Sequence, residues 1–319
     1  MTEIRAATPN NGTKNVLWIS TLYRLFVKRW LPSPIRRWVP VFCNEYVPAR
    51  LGYIRVTRLV TALLGYQYQR ARRRIEIDIT YACNLSCFNC DRSCTQAPSG
   101  ERMTLQQIEL FVKDSIEKGI KWERIRLLGG EPTLHPNFLE ILDQLLAYRE
   151  SFSRETVIEV VTNGYGKKVE NVLKNMPPQI KVDNTNKTAD TQPSFNTFNV
   201  APRDLRKYRD ANFRNACLIS QNCGIGLTPS GYYPCAVAGG IDRIFGWNLG
   251  RQELPYDQDS MHDMLEAFCS HCGHFKRNRQ NLVNRPVMSP TWREAYARYR
   301  QARQKLTLYG HKNTNSTTE

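Results

Sequence analysis

Three cysteines, Cys83, Cys87 and Cys90, stand as C-x3-C-x2-C directly behind an alternating run, Ile75-Glu76-Ile77-Asp78-Ile79. Alternation is the period of a β-strand, so the cysteines occupy the loop that leaves its end. Thiols packed this tightly cannot form three disulfides; they suit a metal or a cluster. Three thiolates can hold three irons of a [4Fe–4S] cluster and leave the fourth iron open to a ligand. Two further motifs also close predicted strands. Gly129-Gly130-Glu131-Pro132 follows the apolar run Ile125–Leu128, and Thr162-Asn163-Gly164 follows Val157–Val161.

Helical patterns separate these strands. One runs from Leu105 to Lys118, with Thr104 as N-cap and Gln107 three residues on, the spacing of a capping box. Others cover 137–149 and 169–174, and Ile180–Val182 and Phe198–Val200 read as later strands. Alternating β and α elements predict an α/β fold with a parallel sheet. In such folds active sites form at the C-terminal ends of the strands, so the three motifs are expected on one rim. The polar spacer before Phe198 is too short for a helical crossover, which predicts an irregular or truncated barrel.

The cysteine loop and the Gly-Gly-Glu-Pro together resemble the radical S-adenosylmethionine (radical SAM) family over about residues 75–205. The resemblance implies a partial (βα) TIM-type barrel in which Cys83, Cys87 and Cys90 bind a [4Fe–4S] cluster. The fourth iron would chelate the amino and carboxylate groups of S-adenosyl-L-methionine. It further implies that Gly129, Gly130 and Glu131 hold the amino group, and that Thr162 and Asn163 meet the ribose or carboxylate. An external one-electron reductant, such as a flavodoxin or ferredoxin, would drive cleavage to methionine and a 5′-deoxyadenosyl radical. One departure stands out: the family commonly places an aromatic residue directly before the third cysteine, where this chain has Asn89, with Phe88 one earlier. A zinc knot completed by Cys94 is the alternative for this loop, though it leaves Gly-Gly-Glu-Pro without a role.

Cysteines return as Cys217, Cys223, Cys235, Cys269 and Cys272. The pattern Cys217-x13-Gly231-x3-Cys235 followed by Cys269-x2-Cys272 resembles the auxiliary-cluster modules called twitch and SPASM. That resemblance implies one further cluster on Cys217, Cys235, Cys269 and Cys272, with Cys223 left over or replacing Cys217. Four thiolates including a C-x2-C serve zinc equally well, and that alternative stays open. Arg92, His135, Tyr165 and Arg243 are polar residues near the motifs that could face a substrate, and each suits ordinary packing as well.

The net charge of +16 is uneven: residues 1–74 carry fourteen Lys or Arg against Glu3 and Glu45, so twelve of the sixteen charges sit there. The chain therefore divides into a basic helical extension (1–74), a radical SAM core (75–205), a small Cys-rich module (206–280), and a terminal helix with a polar tail (281–319). Within the extension, Leu17–Leu31 and Ile54–Tyr66 show helical periodicity, the second with Val56, Leu59, Val60, Leu63 and Leu64 on one face. Two readings compete for residues 16–74. Cationic amphipathic helices suit the surface of an anionic membrane, and they equally suit packing on the catalytic body. No nucleic-acid reading module accompanies the arginines. Clustered rather than scattered cysteines point to a reducing compartment, and no apolar run reaches the ~20 residues of a membrane span; the cytoplasm is the expected location.

The function expected from these features is hydrogen-atom abstraction from a carbohydrate-type or natural-product substrate, small molecule or glycan, as a net oxidation. Modification of a ribosomally made peptide is the alternative within the same chemistry. A non-catalytic zinc-dependent binding protein is the alternative outside it.

Overall fold

A computed structural model describes residues 47–192, 196–275 and 285–310. Six strands form one sheet in the order β4-β3-β2-β1-β5-β6. They are β1 (Arg74–Thr80), β2 (Arg124–Gly129), β3 (Val157–Thr162), β4 (Lys181–Asn184), β5 (Ile225–Thr228) and β6 (Gly231–Tyr233). The first five run parallel, and β6 returns antiparallel to β5. The fold is thus α/β with a parallel-dominated sheet, as expected. The chain's later hairpin is hydrogen-bonded to β1, so the Cys-rich segment continues the sheet of the core.

The period-two alternation sorts the strand residues onto two faces. Ile75, Ile77, Ile79, Ile125, Leu127, Ile158 and Val160 are buried together against Ile108 and Phe111 of helix Leu105–Glu117 and Ile141, Leu142 and Leu145 of helix Phe138–Ser151. Each such side chain contributes about 1.5–3 kcal/mol on burial. The capping box predicted at Thr104 is present, with Gln107 N donating to Thr104 Oγ1 at 3.2 Å and Thr104 N to Gln107 Oε1 at 3.0 Å.

The opposite face carries charge. Arg92 reaches Glu76 at 3.4 Å and Asp78 at 3.3 Å, Arg126 joins Glu76 at 3.3 Å to Glu159 at 2.7 Å, and Lys181 closes on Glu159 at 2.7 Å. This ladder spans β1 to β4. Buried ions stay charged only when paired this way. Burial pushes Asp78 up to about 6 against the pull of Arg92.

Two predicted elements differ. Phe198–Val200 forms no strand; Phe198 O accepts from Gly273 N and Asn199 O from Ser289 N, so this backbone pairs with C-terminal segments instead of the sheet. The helix expected over Ile54–Tyr66 is two helices, Val47–Arg55 and Arg58–Leu64. Thr57 breaks it by capping the second, accepting from Val60 N, and by bridging to Ala211. Helix Pro290–Gln301 supplies the terminal helix and buries Trp292 and Tyr296. The helix read over Leu17–Leu31 and the tail 312–319 lie outside the described residues. Among the described residues no helix is long and apolar enough to cross a membrane.

Candidate active site

The three motifs meet at the C-terminal ends of β1, β2 and β3, and Glu131 ties two of them. Its carboxylate is fully buried. Oε1 accepts from Thr133 N at 3.2 Å, Thr133 Oγ1 at 2.7 Å and Thr162 Oγ1 at 2.8 Å, while Oε2 accepts from Asn163 N at 2.8 Å. The group that the sequence suggested for an ammonium is therefore already met by four donors, and it holds the β2 loop to the β3 loop. The cysteine loop joins through Asn84, whose Oδ1 accepts from Asn163 Nδ2 at 2.8 Å and whose Nδ2 donates to Tyr165 O at 2.6 Å. Asn84 was not singled out in the sequence; only its place beside Cys83 hinted at it.

Gly130 explains its own residue type. A Cβ there would stand 2.2 Å from Ala82 O, because Gly130 N and Glu131 N donate to Thr80 O and Ala82 O at the mouth of the cysteine loop. Gly129, at φ +131°, has the same constraint against Thr80 O. Backbone is thus brought against backbone where the cysteine loop begins.

Backbone amides near the first three sulfurs act to lower their pKa: Leu85 at Cys83, Gln192 at Cys87, and Arg92 and Cys94 at Cys90. Such donors stabilise a thiolate and tune a cluster. Burial nevertheless pushes Cys83 up to about 12 and raises Cys87. The Cys94 thiol lies in hydrogen-bond contact with Cys90, which lowers the latter. Asn89, the departure from the family pattern, donates from Nδ2 to Arg285 O at 3.0 Å and accepts from Val287 N at 3.1 Å. It pins the cysteine loop to the C-terminal segment.

The second set is assembled differently. Cys217, Cys235, Cys269 and Cys272 line one narrow apolar pocket with Val237, Phe268 and Phe275. Cys235 immediately precedes helix Ala236–Phe245, where Ala238 N donates to Cys235 O at 3.1 Å; the His274 amide favours the Cys272 thiolate. Burial raises Cys235, Cys269 and Cys272 above the ordinary thiol range. A bound cation is what turns such thiols into thiolates. Cys223 stands elsewhere: its thiol bonds Glu76 in the ion ladder, and burial pushes it up to about 12. Among the described residues no group of three or more Cys, His, Asp or Glu gathers as ligands of a single metal ion would. A cubane asks less convergence of its ligands, since each thiolate meets its own iron.

The two sites touch through residues beside their cysteines. Asp91 Oδ2 meets His274 Nε2 at 3.4 Å and Arg92 at 3.0 Å. Burial disfavours the Asp91 charge, but Arg92 and His274 hold its pKa below the usual carboxylate range. Arg243 braces the same loop, donating to Ala97 O at 2.9 Å and Arg92 O at 2.9 Å beneath the Tyr81 ring. His135 is held between Met103 O and Asn137 N. Arg92, Arg243 and His135 are thus packing and bracing groups. A cleft of about 700 Å³ lined by Arg73, Trp122, Glu123 and Phe152 lies at the opposite ends of the strands and contains none of the motif residues.

The model of the Radical SAM superfamily matches residues 77–218. Over those residues, under half of its length, this chain is similar to the radical SAM superfamily. A probable GTP 3',8-cyclase of Pyrococcus horikoshii is 38% identical over 91 residues, 28% of this chain and 28% of that protein. The GTP 3',8-cyclase of Sulfurimonas denitrificans is 27% identical over 167 residues, 51% of this chain and 48% of its own length. The matches therefore span about a quarter to a half of these curated relatives. Among solved structures, BtrN in complex with AdoMet and 2-DOIA covers 69% of this chain and 96% of its own, at 12% identity and a TM-score of 0.36.

Proposed function

We propose that this chain is a radical SAM enzyme that oxidises a carbohydrate-type or natural-product alcohol, using a SAM-binding cluster at Cys83, Cys87 and Cys90 and an auxiliary cluster at Cys217, Cys235, Cys269 and Cys272. When bound, the cluster and S-adenosylmethionine supply one-electron cleavage of the sulfonium and a 5′-deoxyadenosyl radical that removes a hydrogen atom from the substrate. For an alcohol, the carbon would give up that hydrogen atom and the hydroxyl its proton to solvent. A cluster held by Cys217, Cys235, Cys269 and Cys272 would supply the acceptor for the remaining electron. The chain's own part is placement. Gly129 and Gly130 bring the β2 loop against the backbone that opens the cysteine loop and would help hold the cofactor there. Glu131 fixes the β2 and β3 loops, and Thr162 and Asn163 hold the third side of the rim.

The observation that carries the oxidative reading is the single apolar pocket shared by the four later cysteines, joined to the first loop through Asp91 and His274. The second reading is a guanine-nucleotide substrate, favoured by the match to proteins named GTP 3',8-cyclases. The experiment is 5′-deoxyadenosine formation by the reconstituted protein with dithionite, alone and with GTP or panels of sugar and aminocyclitol alcohols. Stimulation by an alcohol, with a carbonyl product in equal amount, supports the proposal. Stimulation by GTP alone transfers the chain to the second reading.

A further inference from the structure

We infer that the outward face of the two N-terminal helices, Val47–Arg55 and Arg58–Leu64, docks on an anionic lipid surface. The sequence offered packing on the body and membrane contact as rivals; the structure assigns them to different faces of the same helices. The region is fastened to the segment on either side of Cys217. Val56, between the two helices, is fully buried, and Thr61 Oγ1 in the second helix accepts from Asn215 Nδ2 at 2.6 Å. Beyond that helix Gln67 N donates to Asn215 Oδ1 at 2.8 Å and Ala71 N to Ser220 O at 3.0 Å. The outward face is consequently fixed in place.

That face is apolar. Leu59, Leu63 and Leu64 are 72%, 74% and 67% exposed, and Leu51 and Ile54 add 58% and 49%. Single exposed leucines are ordinary; five large aliphatics exposed on two short helices in succession call for a partner. The chemistry of that partner follows from charge. Residues 47–74 contain seven arginines and no acidic residue, but Arg70, Arg73 and Arg74 are engaged on the body by Asp259 O, Asp257 and Glu123. Arg58 is exposed at the start of the second helix, and the supporting segment adds exposed Arg206, Lys207 and Arg209, against Asp204 and Asp210.

A second copy of the chain would bring like charge against like. Residues 1–46, with seven Lys or Arg against Glu3 and Glu45, carry the same sign. A nucleic acid would use the cations but stack its bases on aromatic rings, leaving five aliphatics in water. An anionic bilayer satisfies both halves: leucines enter the boundary between headgroups and acyl chains while the arginines meet phosphates.

The test is co-sedimentation of the full-length protein with phosphatidylcholine–phosphatidylglycerol vesicles and with pure phosphatidylcholine vesicles. Expected are binding to the anionic vesicles, loss of most of it on neutral ones, and weakening of roughly tenfold by Leu63→Ser. The unfolding temperature of Leu63→Ser should match the parent, because this side chain stands in water in the free protein. Absence of binding to anionic vesicles, or binding indifferent to Leu59→Ser/Leu63→Ser, would overturn the proposal. So would a lowered unfolding temperature or a changed elution volume in that variant, which would give the face to the chain's own N-terminal segment or to a second copy.

Discussion

Around Cys83, Cys87 and Cys90 the chain builds with polar loops, whereas around Cys217, Cys235, Cys269 and Cys272 it builds with Val237, Phe268 and Phe275. The first site is held open by side-chain hydrogen bonds through Glu131, Thr162, Asn163 and Asn84. The second is closed by apolar packing around four sulfurs. The contrast fits the proposed division of labour. A site that must admit a charged cofactor and then a substrate needs a polar rim of fixed geometry. A site that only stores an electron benefits from a dry shell, which sets the potential of a cluster without exposing it.

The comparison can be broken most severely at the first loop. Replacing Cys83, Cys87 and Cys90 with alanine should reduce S-adenosylmethionine cleavage to background while far-UV circular dichroism stays unchanged; residual turnover would remove the loop from the chemistry. Next in size, Cys269→Ser/Cys272→Ser should leave uncoupled cleavage measurable but abolish substrate oxidation. Because these two positions lie inside the packed interior, it should also lower stability by about 2–4 kcal/mol in urea unfolding. An unaltered unfolding midpoint would show that the pocket is not sealed as described.

Glu131→Gln sharpens the polar side of the contrast. An amide must turn a donor toward donors at one of its two ends, so a loss of about 2–3 kcal/mol is expected. Thr162→Val, which removes one of the four bonds, should lose about 1 kcal/mol. Equal effects would mean that Glu131 is not the hub.

The effect for Asp78 depends on pH. Its pKa is raised from 3.8 to about 6 in the folded chain, so the folded state binds the proton more tightly than the unfolded one. The stabilisation from that proton is fully present below pH ~4 and is lost as pH rises through 6, amounting to about 3 kcal/mol. Asp78→Asn should flatten this slope in stability measured across the interval.

Much of the rim was legible because it is local. The alternation in β1, the apolar runs of β2 and β3, and the cysteine and glycine motifs at their ends need only neighbouring residues to read. Thr104 and Gln107 announced their helix for the same reason. What escaped depends on distant pairing. Nothing in Ile225–Thr228 says that it will lie beside β1, or that Phe198 will spend its carbonyl on Gly273. Nor does the sequence show that Cys217 and Cys223 part in space, where one lines the pocket and the other lies beside Glu76. The Asp91–His274 contact, across 183 residues, left no signal at all. The exposed leucines are a different case: periodicity identified a helical face, but an apolar face is not always a buried one.

The measurement that bears most directly on the two-site account is iron and sulfide per chain after anaerobic reconstitution. It should be made on the parent, on Cys83→Ala/Cys87→Ala/Cys90→Ala, and on Cys269→Ser/Cys272→Ser. The account predicts about eight irons in the parent and about four in each variant. About four in the parent, near none in the first variant and stoichiometric zinc held by the later cysteines would contradict it, leaving one redox site and no electron acceptor for the proposed oxidation.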